Sequence, residues 1–131
     1  MSVATAKAAD DIVRRVRKRI EELVNKEQQV LSIDDINIVL ALEDDRIEEL
    51  VVIALKEAKR PLSWRELKQI FAGIVGEDRL RRVLSHLKVT NVIAELTHTR
   101  YSLPEYVDKK EIDKVKNPEI LRKIVKYGES N

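Results

Sequence analysis

The chain has 131 residues, 37% of them charged and 44% hydrophobic, with a formal net charge of +2. That length predicts one domain with a real core. Only three Gly and three Pro exclude collagen-like, linker-like and low-complexity classes and argue against an all-β fold with many tight turns, and the absence of Cys excludes disulfides, thiolate metal sites and cysteine nucleophiles. The longest apolar run, Leu50–Leu55, is far below the roughly 20 residues of a membrane span. The segment Met1–Lys7 lacks the apolar core of a signal peptide, so the expectation is a soluble, cytoplasmic protein with no membrane partner.

The distribution of charge says more than its sum. Residues 32–58 carry −6, and residues 59–107, which follow directly, carry +4. Polyanion binding is therefore expected in the second half of the chain or on the N-terminal helix, and the acidic segment 32–58 is a candidate surface for a protein partner.

The first predicted helix covers Ala8 to Glu27. Ile12, Val13, Val16, Ile20, Leu23 and Val24 recur at spacings that share one face, and Arg14, Arg15, Arg17, Lys18 and Arg19 fill the other. A second element is expected from Ser32, with Ile33, Ile36, Val39 and Leu40 as its apolar face. A third helix, about Asp45–Ala58, is apolar nearly all round and belongs in the middle of the core.

After the Lys59-Arg60-Pro61-Leu62 link comes the best-defined start in the sequence. Ser63 and Glu66 form a capping box, with Leu62 and Leu67 as its hydrophobic staple. That helix runs from Trp64 to about Ala72 and stops at Gly73. The next covers Glu77 to about Thr90, with Leu80, Val83, Leu84 and Leu87 as its buried stripe and Asn91 closing it in the left-handed conformation. Val92–Leu96 and Arg100–Leu103 predict a two-stranded hairpin joined around Thr97-His98-Thr99. In the tail, Asn117-Pro118 reads as a cap and first helical residue, followed by an apolar face of Ile120, Leu121, Ile124 and Val125 ending at Gly128.

From Asp45 to Leu103 this order resembles the winged helix-turn-helix domain. The resemblance is most specific over Arg82–Ile93: Leu87 on the last turn of a helix, Asn91 four positions on where the MarR-like and ArsR-like repressors usually have Gly, then the apolar pair Val92-Ile93. The returning strand Arg100-Tyr101-Ser102-Leu103 is similar to the second strand of a short wing. The implied fold class is mostly α: a core of three helices and a β-hairpin wing over residues 32–107, an N-terminal helix over 1–31 for dimerisation or an accessory role, and a C-terminal helical extension over 108–131. The implied function is a dimeric transcriptional regulator that binds double-stranded DNA through residues 77–90 in the major groove.

The residues support that reading independently. With the apolar stripe inward, a 100° turn per residue places Asp78, Arg82 and Ser85 outward, Arg81 and His86 beside them and Arg79 just beyond. Arginines, a hydroxyl and an imidazole on one exposed helix are suited to base edges. Lys88, Arg100, Ser63 and Arg65 are candidates for phosphate contacts. Trp64 and Tyr101 read as packing residues. His86 and His98, twelve positions apart, have no metal-ligand spacing, and no catalytic motif or phosphate-cradling glycine loop is present, so neither enzyme activity nor a cofactor is expected.

The basic stripe Arg14–Arg19 reads as a solvated face relieved by Glu21 and Glu22, or as additional phosphate contacts. The apolar face of the same helix predicts a homodimer through residues 8–28, with 118–127 assisting. The alternative from another class is a winged-helix adaptor that binds protein within a transcription, replication or membrane-remodelling complex. High charge, few Gln and Asn, and short loops are a composition that fits a thermophile.

Overall fold

The computed structural model describes residues 3–31 and 42–123, with side chains described over 11–26, 42–117 and 119–123. The architecture is mostly helical with one small antiparallel sheet. Helix α1 spans Val3–Leu31, longer at both ends than the sequence predicts. Helix α2 spans Asp44–Ala58, α3 Trp64–Phe71 and α4 Glu77–Val89. Strands β1 (Leu62–Ser63), β2 (Ala94–Leu96) and β3 (Arg100–Ser102) pair in the order β1-β3-β2. Short 3-10 turns follow at Pro104–Tyr106, Lys109–Lys114 and Pro118–Ile120, with helical backbone over 121–123. Among the described residues no helix is long and apolar enough to cross a membrane. The element expected from Ser32 over Ile33–Leu40, and the tail beyond residue 123, lie outside the described residues.

The main core is built from every helix. Val16 and Ile20 of α1, Ile47, Leu50, Val51, Ala54 and Leu55 of α2, and Leu67, Ile70 and Phe71 of α3 are fully buried, and the stripe Leu80, Val83, Leu84 and Leu87 of α4 closes over them. Helix α2 lies at the centre, against both α1 and α4. Its all-round apolar sequence has that cause, with Val52 and Ile53 left part-exposed. The apolar face of α1 docks on α2 and α3 of the same chain. The homodimer expected through residues 8–28 would share that face, of which Val16, Ile20 and Val24 are buried within the chain while Ile12, Val13 and Leu23 stay partly exposed.

Two of the α1 cations are spent in the same way. Arg15 donates to the Glu57 carbonyl at 3.0 Å, Arg17 donates to the Ile70 carbonyl at 2.9 Å and to that of Ala72, and Arg17 also pairs with Glu21. Two guanidiniums thus satisfy free carbonyls at the C-terminal ends of α2 and α3, where the helix dipole favours positive charge.

Local signals set the remaining boundaries. Helix α2 starts one residue before the expected Asp45, after Glu43, whose side chain makes no cap bond; Asp44 and Asp45 sit in its first turn, where the dipole favours them. Lys59 ends it in the left-handed conformation, φ +57°. The capping box at Ser63 is complete: the Ser63 hydroxyl accepts from the Glu66 amide at 3.1 Å, and the Glu66 carboxylate accepts from the Ser63 amide at 3.0 Å. Leu62 and Leu67, the staple, are both fully buried. Gly73 takes φ +77°, open to Gly but strained for other residues. Asn91, at φ +59°, closes α4 in a Schellman arrangement, with the Val92 amide on the Leu87 carbonyl at 2.9 Å and the Asn91 amide on that of Lys88 at 3.0 Å.

Two features differ from the sequence reading. Strand β1 was not expected: Leu62↔Tyr101 and Ser63↔Arg100 pair residues almost 40 positions apart, so no local pattern announces it. Asn117 stands where expected, before the helical backbone that starts at Pro118, and its backbone carbonyl accepts from the Ile120 amide at 3.2 Å, but its side chain is used elsewhere. The side-chain amide donates to the carbonyls of Ile93 at 2.9 Å and Lys88 at 3.3 Å, and the side-chain oxygen accepts from the Glu95 amide at 3.0 Å. It ties the C-terminal segment to the end of α4 and the start of β2.

Candidate functional site

The helix pair α3–α4 and the sheet surround the residues singled out by the sequence, and the structure divides them into two groups. On the side of α4 that faces α2, the cations meet the acidic start of that helix. Arg79 donates to Asp44 at 2.7 Å and to the Leu42 carbonyl; Arg82 lies 3.5 Å from the other Asp44 oxygen and stays 68% exposed; His86 Nδ1 meets the Glu48 carboxylate. The hydrogen bond from Arg79, opposed by some desolvation and reinforced by the charge of Arg82, holds the Asp44 carboxyl below its ordinary value of 3.8. The acidic and basic halves of the sequence therefore meet across the α2–α4 contact.

On the opposite side of α4 lies a cluster built around Trp64, the first residue of α3. The Arg81 guanidinium stands 5.0 Å from its ring centre and the Lys68 ammonium 5.7 Å. A helix start places Trp64 one turn before Lys68, so one aromatic face organises cations from two helices. Arg65, also on α3, is exposed, as are Arg81 and Ser85. Arg65, Lys68 and Arg81 have no carboxylate within ion-pair distance among the described residues. Trp64, half-buried against the core, packs as the sequence suggested and carries these cations as well.

Behind this cluster lies one face of the sheet. Glu95 and Tyr101 are paired across β2 and β3 and so share that face. Burial, then the neighbouring Glu95 carboxylate, pushes the Tyr101 phenol up to about 12, with the Arg81 charge acting in the opposite direction. Glu95 in turn holds Lys88 at 3.5 Å and Lys116 at 3.8 Å.

One expected phosphate contact is placed elsewhere by the geometry. Arg100 pairs across the sheet with Leu96, on the face opposite Tyr101. There its guanidinium donates to Glu111 at 2.9 Å and to the Thr97 carbonyl at 3.1 Å, so it points away from the α4 surface. The Ser63 hydroxyl accepts from the Glu66 amide in the capping box, and its own proton is not used by that bond. Lys68, Glu95 and Lys116 were not singled out from sequence. Lys68 was findable, since Trp64 and Lys68 are one turn apart; Lys116 was not, because its place depends on where the tail folds back. Among the described residues no group of three or more His, Cys, Asp or Glu side chains is placed to hold a metal ion.

Comparison with known proteins adds no relative: no family model, no curated protein and no solved structure matches the chain.

Proposed function

We propose that this chain is a winged helix-turn-helix protein that binds double-stranded DNA, with α3 and α4 as the helix-turn-helix, β2–β3 as the wing and α4 in the major groove as a transcriptional regulator would place it. The element order, with a sheet ordered β1-β3-β2, supports the architecture. The observation that carries the function is the pair of Lys68 and Arg81 over Trp64, with Arg65 exposed on the same helix as Lys68; these cations come from both helices and have no carboxylate partner of their own among the described residues. In this reading Arg81 and Ser85 meet base edges, and Arg65, Lys68 and Lys88 hold phosphates, with Arg82 a further phosphate contact once it is released from Asp44.

Titration of a fluorescent random-sequence duplex tests it. Three phosphate contacts predict a log–log salt slope near −2.7, or roughly a fortyfold loss of affinity between 50 and 200 mM salt. The double variant Arg65→Ala/Arg81→Ala should bind at least tenfold more weakly with unchanged helical content. Equal binding by that variant, or no duplex binding by the wild type at 50 mM salt, overturns the assignment.

A second reading, the protein-interaction adaptor, is favoured by a different observation. Arg79, His86, Lys88 and Arg100 are engaged by the chain's own carboxylates, and Val89 is 73% exposed beside them. An open cavity of about 600 Å³, lined by Asp45, Glu48 and Glu49 as well as Val52, Ile53 and Leu87, also lies between α2 and α4. Failure of the duplex titration, with the fold intact, selects this reading.

A further inference from the structure

The C-terminal segment is built into the sheet. The Thr97 amide donates to the Lys114 carbonyl at 3.1 Å and the Lys116 amide to the Glu95 carbonyl at 2.7 Å, on either side of a bridge between Leu96 and Val115. Residues 114–116 therefore lie along the outer edge of β2, held by a single antiparallel bridge, and Asn117 locks them to α4. Alternation then assigns the side chains. Val115 joins Ala94, Leu96, Val107 and Ile120 in a second apolar cluster under the far face of the sheet. Lys116 turns to the near face, where its ammonium meets Glu95.

Glu95 is one carboxylate between two ammoniums, so the group keeps a surplus positive charge. Its own side chain is 14% exposed while that of Lys116 is 53% exposed: the acid is the anchor and the lysine is the rim. Through Glu95 and Tyr101 this rim adjoins Arg81, so Lys68, Arg81, Lys88 and Lys116 are linked in one series through Trp64, Tyr101 and Glu95. The hairpin tip offers no such group. Thr97, His98 and Thr99 carry no fixed cation, and Arg100 is on the other side.

We propose that Lys116, delivered by the C-terminal strap and oriented by Glu95, is a phosphate contact of the duplex-binding surface and takes the flanking place that the short hairpin does not fill. This rests on the duplex reading above.

The test is the salt dependence of duplex binding by the full-length protein, measured by anisotropy from 50 to 300 mM salt. Loss of one phosphate contact makes the slope of Lys116→Ala less negative by about 0.9 and weakens binding several-fold on every duplex sequence alike. Lys116→Arg should restore the wild-type slope, and Lys56→Ala, on the far side of α2, should leave it unaltered. Circular dichroism melts confirm that each variant is folded; should Lys116→Ala fail to fold, Lys116→Gln replaces it with the same expected slope. A wild-type protein that binds duplex while the folded Lys116 variant keeps the full slope overturns this inference and leaves the duplex reading standing. A wild-type protein that does not bind duplex overturns both.

Discussion

Removing the carboxylate of Glu66 takes away more than one charge. Its side chain caps the Ser63 amide and receives Arg60 at 2.8 Å, fixing both the start of α3 and the link before it. Burial acts to raise its carboxyl, but the hydrogen bonds and charge of Arg60, together with the Ser63 amide, outweigh it and hold the group below its ordinary value of 4.5. A carboxylate depressed in the folded state contributes stability that is complete above the unfolded value and lost as pH falls through the folded one. The melting temperature of the wild type should therefore fall more steeply between pH 5 and pH 3 than that of Glu66→Gln; parallel acid limbs would show that the box carries no linked proton. At neutral pH, Ser63→Ala should cost about 1 kcal/mol, as helix-cap removal generally does.

At the scale of elements, what could be read from the sequence was what neighbours in sequence decide. The Ser63–Glu66 box, the Leu80–Leu87 stripe and the left-handed Asn91 are written within a turn or two of chain, and each is found where the residues put it. What long-range pairing decides was not legible. Two-residue β1 exists only because Tyr101 and Arg100 come alongside it, and Arg100 faces away from α4 because strand register turns it there. Asn117 is the sharpest case. Followed by Pro118 it has every local mark of a helix cap, yet its side-chain amide is taken by the Ile93 carbonyl and the Glu95 amide, which would otherwise lose these partners at a half-buried junction, and it adds a second donor to the Lys88 carbonyl. Asn117→Ala should therefore destabilise by about 1–3 kcal/mol, the cost of stranding such groups. Hydrogen exchange of the Glu95 and Lys116 amides should speed up before that of α2. A variant with wild-type stability would mean that the strap is held by its apolar residues alone.

The whole molecule sets a limit that no single element reveals. Its acidic stretch folds onto its basic one, so the α2 carboxylates occupy part of the α4 face that a duplex would use. Asp44 is the main competitor: it holds Arg79 and Arg82 together, and Arg82 is otherwise largely in solvent. Because Arg79 and Arg82 keep its carboxyl below 3.8, Asp44 remains charged at any pH where the protein would meet nucleic acid, and mild acidification does not release the clamp. Substitution does. In Asp44→Asn, Arg82 loses its carboxylate, while Arg79 keeps its bond to the Leu42 carbonyl. Duplex affinity should rise several-fold and the salt slope should become more negative by about 0.9, one extra phosphate contact. Under the adaptor reading the same substitution leaves DNA affinity unmoved. An unchanged slope in a wild type that does bind would place Arg82 off the contact surface and confine recognition to the Trp64 side of α4.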